Sequence, residues 1–165
     1  MARYEPDVRI TLSVLDRLLD FEPEAPADPP LSRARGVKML RSSVRRDLEW
    51  LLNTRRLADD VPRELTEATR SVITFGLPDF LTANTKSSLD QGTVRRAIED
   101  VIRHFEPRLF DVIVTLEEET KENPYGPTAL RYRIEAKLRV DPAPEPIVFD
   151  TMFLEGTSGV TVRED

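Results

Sequence analysis

Cysteine is absent from the 165 residues. That removes disulfide frameworks and thiolate chemistry and fits a reducing compartment. Histidine occurs once, as His104, so a Ser-His-Asp site has a single base to draw on, and metal ligation by one imidazole and scattered acids has no recognisable spacing. The six glycines form neither a GxGxxG nor a phosphate-loop pattern. No stretch approaches the roughly 18 consecutive apolar residues of a membrane span, and the opening MARYEPDVRI lacks the basic-then-apolar pattern of a cleaved export signal. These absences set the expectation of a cytoplasmic protein with no cofactor, no metal and no membrane insertion.

What is present suits one globular domain. The chain is 39% apolar and 33% charged, enough to bury a continuous core. With 24 basic and 30 acidic residues the net charge is −6, which argues against bulk binding to nucleic acid. The 13 prolines are unevenly spread, four of them within FEPEAPADPP at 21–30. That segment reads as an extended acidic linker over 21–35 between an N-terminal helical segment (1–20) and a main domain (36–156), with a polar tail at 157–165.

In the N-terminal segment Ile10, Val14, Leu15 and Leu18 recur at helical spacing, with Thr11 or Ser13 as a cap. Residues 36–56 form the clearest helix, with Val37, Leu40, Val44, Leu48, Leu51 and Leu52 in one stripe and Arg41 inside it, its stem along the core edge and its head reaching water. Met39 and Trp50 lie on the opposite face beside Arg46, a second apolar patch covered by the N-terminal helix or left for a partner. A shorter helix is predicted over 61–72, with Leu65, Ala68 and Val72 inward, then a turn at Phe75-Gly76-Leu77-Pro78-Asp79 and a polar loop over 82–92. Next comes an amphipathic helix capped by Thr93, with Val94, Ile98, Val101, Ile102 and Phe105 inward and Arg95, Arg96, Glu99, Asp100 and Arg103 outward.

Pro107 ends that helix, because the residue before a proline is pushed out of the α region. Glu106-Pro107-Arg108 is therefore a helix-to-strand corner with a carboxylate and a guanidinium either side of a rigid φ. Two readings stand: an ordinary corner with both charges in water, or a fixed presentation of two charged groups. Beyond it the period changes to 2. Phe110, Val112, Val114 and Leu116 alternate with Asp111, Ile113 and Thr115, both faces mostly apolar at the start, as in a central strand. After a turn at 123–127, Leu130, Tyr132, Ile134, Ala136 and Leu138 alternate with Arg131, Arg133, Glu135, Lys137 and Arg139. A proline-bearing turn at 141–146 and a strand over 147–154 complete a three-stranded antiparallel meander with helices on one face, an α+β fold.

Taken together and in order, SVLDRLLD (13–20), VRRDLEWLLNTRR (44–56), SVITFGLPDF (71–80), HFEPRLFDVIV (104–114) and LRYRIEAKLRV (130–140) resemble the gene-25-like baseplate-wedge family of phages, and within it the TssE subunits of the type VI secretion baseplate. The resemblance implies an α+β domain like the interlocking strand domain of contractile sheath subunits. It also implies a structural subunit of a phage tail-like, contractile injection machine at the inner face of the envelope, beside wedge proteins of TssF, TssG and TssK type. Strands on which sheath proteins of TssB and TssC type begin to assemble are implied as well. The family's Glu-Pro-Arg motif falls on Glu106, Pro107 and Arg108, with docking to the wedge core as its implied role. On that view Arg108 takes a partner carboxylate bidentately, and Arg108→Ala weakens docking while leaving the fold intact. The runner-up is a lysozyme-like peptidoglycan hydrolase, but no paired-carboxylate constellation stands out. A third reading, nucleic-acid binding through Lys38, Arg41, Arg45, Arg46, Arg55 and Arg56, founders on their scatter around the helix.

Overall fold

The structure, a computed structural model, describes residues 10, 12–19, 23–24, 32–57, 61–62, 64–78, 88–117, 129–154 and 159–164. A four-stranded antiparallel sheet in the order β1-β2-β3-β4 carries two long helices on one face. Its strands are β1 (Leu109–Glu117), β2 (Ala129–Leu138), β3 (Glu145–Leu154) and β4 (Val160–Glu164). The helices are α1 (Val14–Leu18), α2 (Arg33–Asn53), α3 (Thr66–Thr69) and α4 (Ser88–Phe105), with a 3-10 turn at Val72–Thr74. Helix α4 packs along β1 and α2 along β4, and the two helices touch. Among the described residues no helix is long and apolar enough to cross a membrane.

The core follows the periodicities that the sequence carries. From α2 it takes Leu40, Val44, Leu48, Leu51 and Leu52, and from α4 Val94, Ile98, Val101 and Ile102. The sheet supplies the inward residues of all four strands, with Tyr132 and Phe149 the largest fully buried side chains. Alternation along β2 is as expected, Tyr132, Ile134, Ala136 and Leu138 being buried while Glu135 and Lys137 are exposed.

Helix α2 begins at Arg33, with the Ser32 side chain accepting from the Arg35 amide. At its other end the Thr54 hydroxyl and amide both donate to the Trp50 carbonyl, at 2.7 and 3.0 Å. The chain then forms a parallel bridge between Arg55 and Leu77. Gly76 makes the bridge possible: its φ is +102°, and a Cβ there lies 2.2 Å from the Thr54 carbonyl oxygen.

Five expectations are corrected. The predicted tail is mostly strand: Val160–Glu164 pairs antiparallel with β3 and buries Val160 and Val162, a period-2 pattern too short to stand out beside polar neighbours. The sheet therefore has four strands rather than three. Strand β1 is an edge rather than a central strand, and Ile113 is 55% exposed. Helix α4 starts at Ser88, so Thr93 lies inside it rather than at its start, and the predicted loop over 82–92 ends early. The helix predicted over 61–72 shrinks to Thr66–Thr69 and a 3-10 turn, leaving Leu65 and Val72 exposed. There the Thr69, Ser71 and Thr74 hydroxyls bond local carbonyls and compete with the helical ladder. Most of the proline-rich linker, the turn at 123–127 and residues 79–87 lie outside the described residues.

Candidate docking site

The helix-to-strand corner is built by backbone bonds before any side chain acts. The Glu106 amide closes the last turn of α4 on the Ile102 carbonyl at 2.9 Å, and the Leu109 amide returns to the Glu106 carbonyl at 3.1 Å. The Arg139 amide then donates to the Arg108 carbonyl at 2.8 Å, tying the corner to the end of β2. Pro107, with φ fixed by its ring, is exposed.

The two charged residues meet each other. Arg108 donates from Nε to Glu106 Oε1 at 2.6 Å and from Nη2 to Glu106 Oε2, a bidentate pair, and its amide reaches Oε1 at 3.1 Å. Glu106 is only 4% exposed, so the reading with both charges in water does not hold. From α2, Asp47 Oδ2 accepts from Arg108 Nη2 at 2.6 Å and Ser43 Oγ from Nη1 at 3.0 Å. Four of the five N–H donors of the guanidinium are thereby engaged within the chain. As it stands, Arg108 cannot also take a partner carboxylate bidentately, and Arg108→Ala perturbs the fold as well as any interface.

The network continues to the N-terminus. Arg46 bonds Asp47 through Nε at 2.9 Å and pairs with Asp16 Oδ1 through Nη2 at 2.8 Å. Asp16 Oδ2 accepts from Ser13 and Ser43 hydroxyls, each at 2.5 Å. Ser13 also caps α1, accepting from the Asp16 amide at 3.1 Å. Ser43, Arg46 and Asp47 lie at i, i+3 and i+4, hence on one face of α2, and that face receives both α1 and the corner. Two guanidinium groups thus stand against three carboxylates. Burial, the largest influence on Arg108, pulls it down, but hydrogen bonds and charge from Glu106 and Asp47 outweigh this and raise it above its ordinary value. Burial pushes Asp16 up, yet hydrogen bonds from Ser13, Ser43 and Arg46, with the Arg46 charge, leave it below the usual carboxylate value.

The apolar patch beside this face stays largely open. Trp50 is 58% exposed, with Arg46 5.6 Å from its ring centroid, and Met39 is half-buried. Helix α1 turns its acid inward and its hydrophobes outward: Val14 and Leu18 are 71% and 75% exposed.

Sequence reasoning brought out Glu106, Pro107 and Arg108 but missed Ser43, Arg46, Asp47 and Asp16 as their partners. The one available signal was the DLE-x-LLNTR run, in which Asp47 opens the segment. His104 is exposed, its ring 4.8 Å edge-on from that of Phe105. Among the described residues no group of histidines and acids is arranged to hold a metal ion.

A four-stranded meander backed by two helices, with an ion-pair network tying a helix-strand corner to the longest helix, makes a small α+β fold. The sequence model of a family described as baseplate wedge protein gp25 matches residues 38–143. That span covers most of the chain and holds the whole corner with Ser43, Arg46 and Asp47, and the chain belongs to this family of phage-tail-like baseplate proteins. No curated protein matches the chain.

Proposed function

We propose that this chain is a non-enzymatic structural subunit of the baseplate of a type VI secretion machine, at the cytoplasmic face of the envelope. It docks to wedge proteins of TssF, TssG and TssK type through the Glu106-Pro107-Arg108 corner. It also offers strands on which sheath proteins of TssB and TssC type begin to assemble. The observation that carries the reading is the family match over residues 38–143, which takes in the corner and its α2 partners. The geometry supports a docking role of a particular kind: Arg108 is locked by Glu106 and Asp47, so the corner presents a fixed shape, with Pro107 outward, and little ordering is required on binding.

The test is co-purification with the wedge and sheath subunits of the same secretion cluster, wild type beside Arg108→Lys. Lysine keeps the charge but loses the planar fork. Capture of the wedge by wild type, reduced in a folded Arg108→Lys protein, is the expected result. A folded wild-type chain that captures no wedge subunit, or that turns over purified peptidoglycan, refutes the proposal.

A further inference from the structure

Apolar burial builds most of this fold, but not the contact between α1 and α2. No residue of α1 is buried, and its hydrophobic side chains Val14, Leu15 and Leu18 are exposed. Only the preceding Ile10 and Leu12 rest, half-buried, against the core. Among the described residues, the polar bonds from α1 to the rest of the fold all run through Asp16. Its Oδ2 accepts from the Ser43 hydroxyl at 2.5 Å, and its Oδ1 pairs with Arg46 Nη2 at 2.8 Å. A single helical turn has too few bonds to persist by itself, so one carboxylate keeps α1 in place.

The receiving side is set up without α1. The Ser43 hydroxyl accepts from Arg108 Nη1 at 3.0 Å, which leaves its one proton for a carboxylate. Arg46 is held from behind by Asp47 Oδ1, through Nε at 2.9 Å, while the other oxygen of Asp47 goes to Arg108. Asp47 thereby serves two guanidinium groups, and Arg46 has donors left for a second acid. Ser43 and Arg46, one turn apart on α2, form a two-pronged carboxylate seat beside the Glu106-Pro107-Arg108 corner. Asp16 fills it, its side chain 9% exposed and that of Arg46 25%. Trp50 lies open next to the seat, with Arg46 over its ring. The family match takes in Ser43, Arg46 and the corner but starts after α1.

Resting on the proposed function, we infer that Ser43 and Arg46 are a binding site for an acidic side chain of a wedge protein, and that α1 plugs this site until the wedge protein displaces it. The exchange keeps the chemistry constant. One carboxylate leaves and another arrives, Ser43 and Arg46 keep an acceptor, and no half-buried charge is left unpaired. Releasing α1 exposes little new apolar surface, so the exchange is decided by which carboxylate fits the seat better. The segment that fits carries an acidic residue for the seat beside an apolar one for Trp50. Arg108, already engaged by Glu106, Asp47 and Ser43, acts at one remove by orienting the Ser43 hydroxyl.

The absence of cysteine allows a single nitroxide label on Leu18→Cys, a position 75% exposed in α1. The label should be restrained in the free chain and become mobile when purified wedge subunits of TssF and TssG type from the same cluster are added. Two substitutions break the same ion pair from opposite sides, and the exchange requires them to change wedge affinity in opposite directions. Asp16→Asn weakens the plug and should tighten wedge binding about tenfold, the scale of one charge-assisted hydrogen bond. Arg46→Gln removes the seat's charge and should weaken wedge binding by about the same factor. A pair that only holds the fold together would make both variants bind worse, or neither. Either pattern, in variants shown to be folded by circular dichroism, overturns the inference. A label that stays restrained in the wedge-bound chain overturns it as well, since α1 is then part of the interface. In all of these cases capture of the wedge by wild type leaves the docking role standing. Failure of both wild type and Asp16→Asn to capture the wedge removes docking and plug together.

Discussion

Replacing Arg108 by alanine should destabilise the protein before it affects any partner, and the size of the effect follows from the corner's geometry. The Glu106 side chain is 5% exposed and loses both side-chain donors, keeping only the Arg108 amide at 3.1 Å. Removing one member of a buried ion pair costs about 3–5 kcal/mol. Arg108 and Asp47 are 23% and 26% exposed, so water reaches part of the vacated site and the lower end applies, about 3 kcal/mol. Glu106→Ala should cost less, since Arg108 retains Asp47 and Ser43. The double variant should fall short of the sum of the singles by roughly 1–2 kcal/mol, the coupling of a contacting pair. Urea unfolding followed by far-ultraviolet circular dichroism is the appropriate assay, because Trp50 is 58% exposed and a poor reporter of the core. The Arg108→Ala midpoint should drop by about 1–2 M. A loss below about 0.5 kcal/mol, or strictly additive singles, refutes the view that this pair organises the corner.

Leu48 is fully buried between α2 and the sheet, and Leu48→Ala should cost about 3 kcal/mol by the same unfolding assay. Gly76→Ala should cost about 3 kcal/mol, because alanine at φ +102° is strained and its Cβ meets the Thr54 carbonyl; a neutral effect would mean that the Arg55–Leu77 bridge is dispensable. The Asp16 carboxyl is depressed in the folded state, so its contribution to docking α1 is complete above the ordinary carboxylate value and disappears as pH falls through the lowered folded one. Backbone amide shifts of Ser13–Leu18 should move over that window, and Asp16→Asn at neutral pH should reproduce the acid spectrum; unmoved shifts would detach Asp16 from the docking of α1.

The long elements were legible because burial imposes one period over many residues. Helix α2 repeats its apolar stripe from Val37 to Leu52, and β2 alternates strictly from Tyr132 to Leu138, so a chance match is improbable in either. Short elements carry no such redundancy. In β4 only Val160 and Val162 mark the inward face, and between Thr66 and Thr74 the local hydroxyl bonds override apolar spacing. The central character given to β1 came from apolar residues on both faces, yet Ile113 stands on an edge. Composition alone does not separate a buried two-sided strand from an edge whose backbone a helix side chain covers.

The corner shows the same limit for charge. Local sequence placed Glu106 and Arg108 two residues apart around a proline, which fixes that they can meet but not whether they do. Settling it required Asp47 and Ser43, more than sixty residues earlier on α2. Helical spacing shows Ser43, Arg46 and Asp47 sharing a face but says nothing of what lies opposite. Fold-level contact makes Ser43 and Asp47 the socket of Arg108, with Arg46 holding Asp47 from behind, and it converts Arg41, Arg45, Asn53, Glu99 and Arg103 into fasteners on strand backbone. The charged faces of both long helices, which periodicity assigns to solvent, are therefore where this molecule fixes its corner and both edges of its sheet.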